Sequence, residues 1–366
     1  MEEPYLEQTN HQWRLARTPR TGWPVDGDFE WCETRVTEPG AEQAITRTIY
    51  LSLDPYQWGR RRNGTELPGE VCHGRTVSQV VRSRNPAYPE GAFVFNTAGW
   101  QEYGKVGTDV PTFGYMFPRV LDPELAPIST ALGVLGMLGL TAWSGIRLQC
   151  EPRAGETVVV SAASGGVGQI AGQIARIMGA RVVGIAGAPQ KCSFVKETLG
   201  FDACVSHLSD TFKDDLADAC PDGIDVYFEN VGGKVFEAVL PLLNRQSRIS
   251  QCGMISQYGN TTGNAQEHWR NTGEPFFQRQ SVTVHGLFVG NFVAEHQDHF
   301  LMEMADWVRS GLVRYKEDLW PGLSNAPAAF AAMLKGGNFG KTIVGVGTDP
   351  TATSEIEEKR SSPNIL

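Results

Sequence analysis

At 366 residues, with 41% apolar and 20% charged side chains, the chain is long enough for two domains of ordinary size and too apolar to be disordered. A formal net charge of −9 argues against nucleic acid or an anionic membrane as the main partner. The seven cysteines (Cys32, Cys72, Cys150, Cys192, Cys204, Cys220 and Cys252) are odd in number and never form CxxC, so they read as reduced thiols of a cytoplasmic protein.

In chain order, the opening MEEPYLEQTN is acidic and has no apolar core of the kind a signal peptide needs. To about residue 127, short β-type runs at 44–51, 76–82 and 92–96 lie among glycines and prolines and predict a mostly β domain. The apolar run 131–146 is too short to span a bilayer and carries four glycines, so a packed internal helix is expected there. Strands and helices then alternate: strand 157–161, helix 167–178, strand 181–185, helix 190–199, strand 203–205 and helix 214–219. The series continues with strand 224–229, helix 234–242, strands 247–252 and 282–289, and helix 294–309. Repeated βα units with short apolar strands predict a parallel, doubly wound α/β sheet. Residues 259–281 read as a loop. After 312 strand and turn patterns return, as though the C-terminal residues complete the first domain. The predicted domains are therefore 1–127 plus 313–347, and 128–312, followed by a polar tail at 348–366.

Within the first βα unit, SAASGGVGQIAGQIA carries Ala163, Ser164, Gly165, Gly166, Val167 and Gly168, the GxGxxG spacing with alanine at its first place. Small residues there allow a tight turn and close approach to a pyrophosphate, and free helix N-terminal amides receive its charge. At the end of the next strand, where an NAD site usually has an acid for the ribose hydroxyls, stand Gly187 and Ala188, with Lys191 just beyond. No carboxylate repels a 2′-phosphate, so NADPH is the predicted cofactor.

These residues, with LSLDPYQWGR (51–60), GMLGLTAWSG (136–145), FENVGG (228–233), RISQCGMISQYG (248–259) and the long 315–344 stretch, resemble the zinc-independent medium-chain dehydrogenase/reductases. The likeness is strongest to the prostaglandin, leukotriene, alkenal/one and curcumin reductases, and runs from about 43 to 347. It implies a Rossmann NADPH-binding domain beside a GroES-like substrate domain completed by C-terminal residues. It also implies cofactor contacts from Asn230, from Cys252, Gly253, Ile255, Ser256 and Tyr258, from Phe288 and Val289, and from Asn338. His207, where the family usually has tyrosine, is implied to lie by the cofactor phosphate. Leu138 replaces a common proline, and 259–281 departs from the family pattern.

No metal is predicted. Ser52, Leu53 and Asp54 occupy the stretch where zinc-dependent relatives place a catalytic cysteine, and a local Glu70, Cys72 and His73 triplet lacks a distant ligand. Without a Lewis acid, reduction of an electron-poor C=C is easier than alcohol oxidation. Hydride attack at the β-carbon of an enal or enone builds charge on the carbonyl oxygen, which needs a hydrogen-bond donor. Tyr258 is the first candidate and Tyr56 the second. Quinone reduction, or NADPH binding with little turnover, are the alternatives. The resemblance also implies a homodimer joined at the edges of the two Rossmann sheets, and the apolar strand 282–288, late in the sheet, is where that edge would lie.

Overall fold

The structure, a computed structural model, describes residues 8–112, 115–260 and 264–352. The predicted tail at 348–366 lies mostly outside the described residues, as does part of the 259–281 stretch. The chain divides into two compact units, one holding residues up to 132 with 318–338 and the segment from 342, the other holding 133–317 with 339–341.

The first unit is antiparallel. Strands β1 (Thr9–Leu15) and β2 (Phe29–Arg35) form a hairpin-like pair. The long β3 (Gln43–Ser52) leads into the short helix α1 (Tyr56–Arg62), followed by β4 (Thr76–Ser83), β5 (Phe93–Asn96), β6 (Tyr103–Gly107) and β7 (Arg119–Leu121). Almost every residue of β3 is buried, as a central strand covered on both faces requires. Its neighbours are β4 on one side and, on the other, a strand from the C-terminal part of the chain, with Ser52 opposite Ile343. Beneath it the Arg61 guanidinium is fully buried, 4.4 Å from the Trp100 ring and 4.8 Å from that of Phe330, with its Nε donating to Glu66 at 3.0 Å.

The second unit holds the βα series: α2 (Met137–Ser144), β8 (Thr157–Ser161), α3 (Gly168–Ile177), β9 (Arg181–Ala186), α4 (Pro189–Ser193), β10 (Ala203–Ser206) and α5 (Phe212–Ala219). It continues with β11 (Ile224–Glu229), α6 (Gly233–Val239), β12 (Leu243–Gln251), α7 (Ala265–Gln280), β13 (Thr283–Gly286) and α8 (Gly290–Arg309). Among the described residues six parallel strands lie in the order β10-β9-β8-β11-β12-β13, so the sheet reverses direction of growth beside β8. That is the doubly wound dinucleotide-binding order, with a crevice at the carboxyl ends of β8 and β11. β14 (Glu317–Pro321), α9 (Ala326–Leu334) and β15 (Lys341–Gly345) follow, and β14 and β15 finish the antiparallel sheet.

Three expectations are corrected. The run 131–146 is not one helix: a 3₁₀ turn (Ile128–Leu132) precedes α2, which widens into a π-turn (Gly145–Cys150). The predicted strand 282–289 stops at Gly286. The predicted loop 259–281 is in large part α7, a 16-residue helix. Its buried residues Trp269, Gly273 and Phe277 recur every fourth position and pack on Phe236 of α6, with the Phe236 and Trp269 rings stacked at 4.5 Å. Gly273, Pro275 and a polar outer face hid that stripe. Among the described residues no helix is long and apolar enough to cross a membrane.

Candidate cofactor site and tyrosine cluster

Between β8 and α3 the backbone folds back on itself. Ala162 takes φ +50°, and its carbonyl accepts the Gly165 N–H at 2.9 Å. A Cβ at Gly168 would stand 2.3 Å from that same oxygen, so helix and strand meet too closely for a side chain. At Gly166 the obstacle is Leu138 Cδ2 at 2.3 Å. Ala163 and Ser164 are buried beneath the turn, while Gly165, Gly166 and Val167 stay half-open. This cradle fits a pyrophosphate met by backbone amides. Two of its supports were not found from sequence: Gly340 bridges Gly165 as a parallel partner, and the Lys341 side chain lies 3.4 Å from where a Gly166 Cβ would stand.

Beyond β9, a Cβ at Gly187 would face His207 Nε2 at 3.4 Å, so an imidazole floors the place where an acid would stand. The His207 N–H donates to Ala186 at 2.9 Å, and Lys234 Nζ donates to the His207 carbonyl at 2.9 Å. Burial first, then the charges of Lys234 and Lys191, hold the imidazole below its usual pKa. Its Nδ1 is buried with no partner among the described residues. Two lysines and the Nε2 edge of His207 around an open glycine fit a phosphate monoester, the group that separates NADPH from NADH. Lys234, just after FENVGG, was not foreseen.

The carboxyl ends of β11 and β12 are knotted around Glu229, fully buried. Its Oε1 accepts from Val231 N–H at 2.7 Å, Tyr227 Oη at 2.8 Å and Gly232 N–H at 3.0 Å, and Oε2 accepts from Trp269 Nε1 at 3.3 Å. Desolvation nevertheless raises its carboxyl pKa, against the pull of those donors. An acid directly after the run Val226–Phe228 was the available signal, and it was overlooked. Asn230 donates its side-chain amide to Ser161 O at 2.7 Å, tying β11 to β8.

The 252–258 segment wraps over this turn. Ile255 N–H donates to Asn230 O at 3.0 Å and Ser256 Oγ to Val231 O at 2.5 Å. A Cβ at Gly253 would be 3.0 Å from the Tyr258 hydroxyl and 3.8 Å from Asn230 O. Glycine there leaves the phenol room, and the Met254 N–H donates to it. Burial pushes Tyr258 up to about 12 and the Cys252 thiol up to about 12, so both are neutral at pH 7. Leu287 N–H donates to Gln251 O at 3.0 Å, which sets exposed Phe288 and buried Val289 beside the Cys252 end of β12.

Tyr56 and Asn338 belong to the first unit. There the Tyr56 hydroxyl contacts His73 Nε2 at 2.6 Å and accepts from Arg75 Nη1 at 3.0 Å. Arg75 in turn lies 3.6 Å from Asp54, which accepts from Ser52 Oγ at 2.6 Å, and stacks over the Tyr115 ring at 4.7 Å. Burial drives the Tyr56 phenol well above its ordinary pKa, and burial with Arg75, Arg60 and Arg61 drives His73 well below its own. The EVCHG histidine thus partners a tyrosine. Among the described residues no group of three or more His, Cys, Asp or Glu side chains is placed to hold a metal ion.

Residues 166–307 match the family described as zinc-binding dehydrogenase, and 11–110 that described as N-terminal domain of oxidoreductase. The chain is 42% identical over 349 residues to the NADPH-dependent curcumin reductase of Escherichia coli, covering 94% of this chain and 99% of that one. It is 34% identical to the 2-alkenal reductase (NADP(+)-dependent) of Nicotiana tabacum, covering 92% and 98%. The solved structure of CurA in complex with NADPH from Vibrio vulnificus superposes with a TM-score of 0.84 at 38% identity, over 93% of this chain and 100% of that one. The chain belongs to the medium-chain dehydrogenase/reductases, in the zinc-independent branch that holds the curcumin, prostaglandin and 2-alkenal reductases.

Proposed function

We propose that this chain reduces the C=C double bond of α,β-unsaturated aldehydes and ketones with NADPH. The observation that carries the reading is the open Gly187 corner ringed by Lys191, His207 and Lys234, beside a phosphate turn at Ala163–Gly168. Relatives named as NADPH-dependent curcumin reductase and 2-alkenal reductase support it. NADPH, when bound, supplies a hydride for the substrate β-carbon.

The chain's own residues do the rest. Turn amides hold the pyrophosphate, and Lys191, Lys234 and His207 hold the 2′-phosphate. Asn230 and Cys252–Tyr258, with Phe288 and Val289, are the contacts proposed for the nicotinamide end, and Asn338 of the first unit is the further contact that the family resemblance implies. The Tyr258 hydroxyl donates to the carbonyl oxygen as negative charge gathers there, with Tyr56 the second candidate for that donor. In this reading 128–312 is the cofactor domain, and 1–127 with 313–347 the substrate domain.

A homodimer through β13 is part of the proposal, since that edge strand exposes Val284 at 37% and is followed by Phe288 at 52%. Seven free thiols support a cytoplasmic setting. The test is steady-state NADPH oxidation with an enone, an enal and a quinone, with product identification. A saturated carbonyl is expected; a hydroquinone from the quinone alone, or no turnover with any of the three, overturns the assignment.

A further inference from the structure

The first unit buries a cation that its neighbours only partly pair. Arg75 is 2% exposed, yet its Nε and Nη2 have no hydrogen-bond partner among the described residues. Asp54 Oδ2 stands 3.6 Å from Nη1 and already accepts from Ser52 Oγ. The guanidinium lies 5.1 Å from the centre of the Tyr56 ring and 4.7 Å from that of Tyr115, and these two rings sit 4.9 Å apart. A buried charge so little paired is costly and calls for an explanation. The one hydrogen bond that Arg75 does make points to it: Nη1 donates to the Tyr56 oxygen at 3.0 Å.

We propose that Arg75 is a positioning residue for the second half of the reduction: it receives the charge left on the Tyr56 oxygen when that phenol gives its proton to the substrate α-carbon, and His73 holds the proton until then. The statement rests on the enone-reductase reading above, with Tyr258 serving the carbonyl oxygen and the first unit the substrate.

The bonds around the phenol set the direction of transfer. A guanidinium has no acceptor, so Arg75 must donate and the Tyr56 oxygen must accept. The other contact, His73 Nε2 at 2.6 Å, is shorter than the roughly 2.7–3.2 Å of N–H···O bonds and proper to an O–H donor. The hydroxyl proton therefore points at the imidazole. Burial, then Arg75, Arg60 and Arg61, keep that imidazole neutral, which leaves Nε2 its lone pair. Hydride addition at the β-carbon makes an enolate, whose α-carbon is a far stronger base than imidazole. The Tyr56 O–H bond breaks, an α-C–H bond forms, and negative charge appears on the atom that Arg75 Nη1 already touches. Burial opposes that charge, and Arg75 is the largest influence in its favour. A proton from water restores the phenol, so each turnover consumes one hydride and one proton.

The test is steady-state kinetics of whole Arg75→Gln protein with benzylideneacetone, in ordinary and heavy water and with NADPH deuterated at the transferred hydrogen. Expected is kcat lowered about tenfold to a hundredfold with KM for NADPH nearly unchanged. The heavy-water effect on kcat should grow and the deuterated-NADPH effect shrink, because proton transfer has become the slow step. Adding Arg75→Gln to Tyr56→Phe should slow the enzyme no further. With the α-methyl homologue of the substrate, the unaltered chain should give one configuration at the α-carbon, and Tyr56→Phe a mixture protonated by water from both sides. Arg75→Gln leaves Asp54 unpaired, so if it does not fold, Arg75→Gln combined with Asp54→Asn carries the same measurements. A lowered kcat with both isotope effects unmoved, losses that multiply in the double variant, or a single configuration retained in Tyr56→Phe overturns the proposal. If the unaltered chain reduces no enone, the activity reading fails by itself, and nitrogen NMR of labelled histidines still judges the geometry. His73, identified by its absence from His73→Gln, should show a bare Nε2 and a protonated Nδ1; a protonated Nε2 overturns the proposal.

Discussion

Gly168 and Gly165 sit three residues apart in one turn, yet a methyl group at each should do opposite things. At Gly168 a Cβ would meet backbone on every side: Ala162 O at 2.3 Å, Ala162 C at 2.9 Å and Ala163 Cα at 3.0 Å. Non-bonded heavy atoms prefer about 3.5 Å, so strand end and helix start must part by about 1 Å. Overpacking of this kind costs ~1–3 kcal/mol, and an unyielding backbone puts Gly168→Ala near the top. Glycine's extra unfolded-state freedom returns about 0.4–1 kcal/mol, since φ is negative at this position. A net loss of about 2 kcal/mol lowers Tm by roughly 4–8 °C for a unit of this size. At Gly165 the sole close atom is Ala162 O at 3.1 Å, which a shift of a few tenths of an ångström relieves. Gly165→Ala should keep its Tm within about 2 °C but lose NADPH affinity at least about tenfold, because the methyl lies on the half-open side. The assay is thermal unfolding without cofactor, followed by calorimetric titration with NADPH. Wild-type Tm in Gly168→Ala, or wild-type affinity in Gly165→Ala, refutes the packing argument.

Lys191→Ala removes the proposed charge-assisted contact to the 2′-phosphate, which would be worth about 1.5–3 kcal/mol, so KM for NADPH should rise roughly tenfold or more while NADH is untouched; equal effects on both would remove Lys191 from the site. Tyr258→Phe should lower kcat about tenfold to a hundredfold with NADPH affinity changed much less, and a larger loss in Tyr56→Phe would move the donor role to the first unit. His73 is neutral when folded and binds a proton near pH 6.5 when unfolded, so stability is full above 6.5 and is lost as pH falls toward the folded value. His73→Asn should flatten that decline in denaturant midpoints between about pH 7 and 5, and an unaltered slope would contradict it. Light scattering at micromolar concentration should report a homodimer; a monomer rules out pairing through β13.

The sheet was readable because its central strands β8, β9 and β11 are short, mainly apolar runs closed by a turn, and such runs carry their own punctuation. The tight turn before α3 was readable for the same local reason: Ala163–Gly168 is one stretch of chain. What escaped depends on distant partners. Gly340 meets Gly165 only after the chain has left and returned, and Trp269 finds Glu229 across 40 positions. Helix α7 escaped because its buried stripe includes a glycine, so the i, i+4 signal from Trp269 to Phe277 had a gap in its middle. The Tyr56 and His73 pairing bridges a helix and a later strand approach, and EVCHG gives no local hint of it.

Glu229 has a consequence of a different sort: it gives the Asn230 turn an optical handle. The carboxylate that receives the Val231 and Gly232 amides also receives the indole N–H of Trp269, a ring already stacked on Phe236 and screened from water. Any shift of the turn that lengthens the hydrogen bonds from Val231 and Gly232 N–H redistributes charge on the carboxylate, and the indole emission should follow. The difference spectrum between the unaltered chain and Trp269→Phe isolates this ring from the other tryptophans. If NADPH seats at this turn as proposed, its arrival can be followed in real time, without substrate and without turnover.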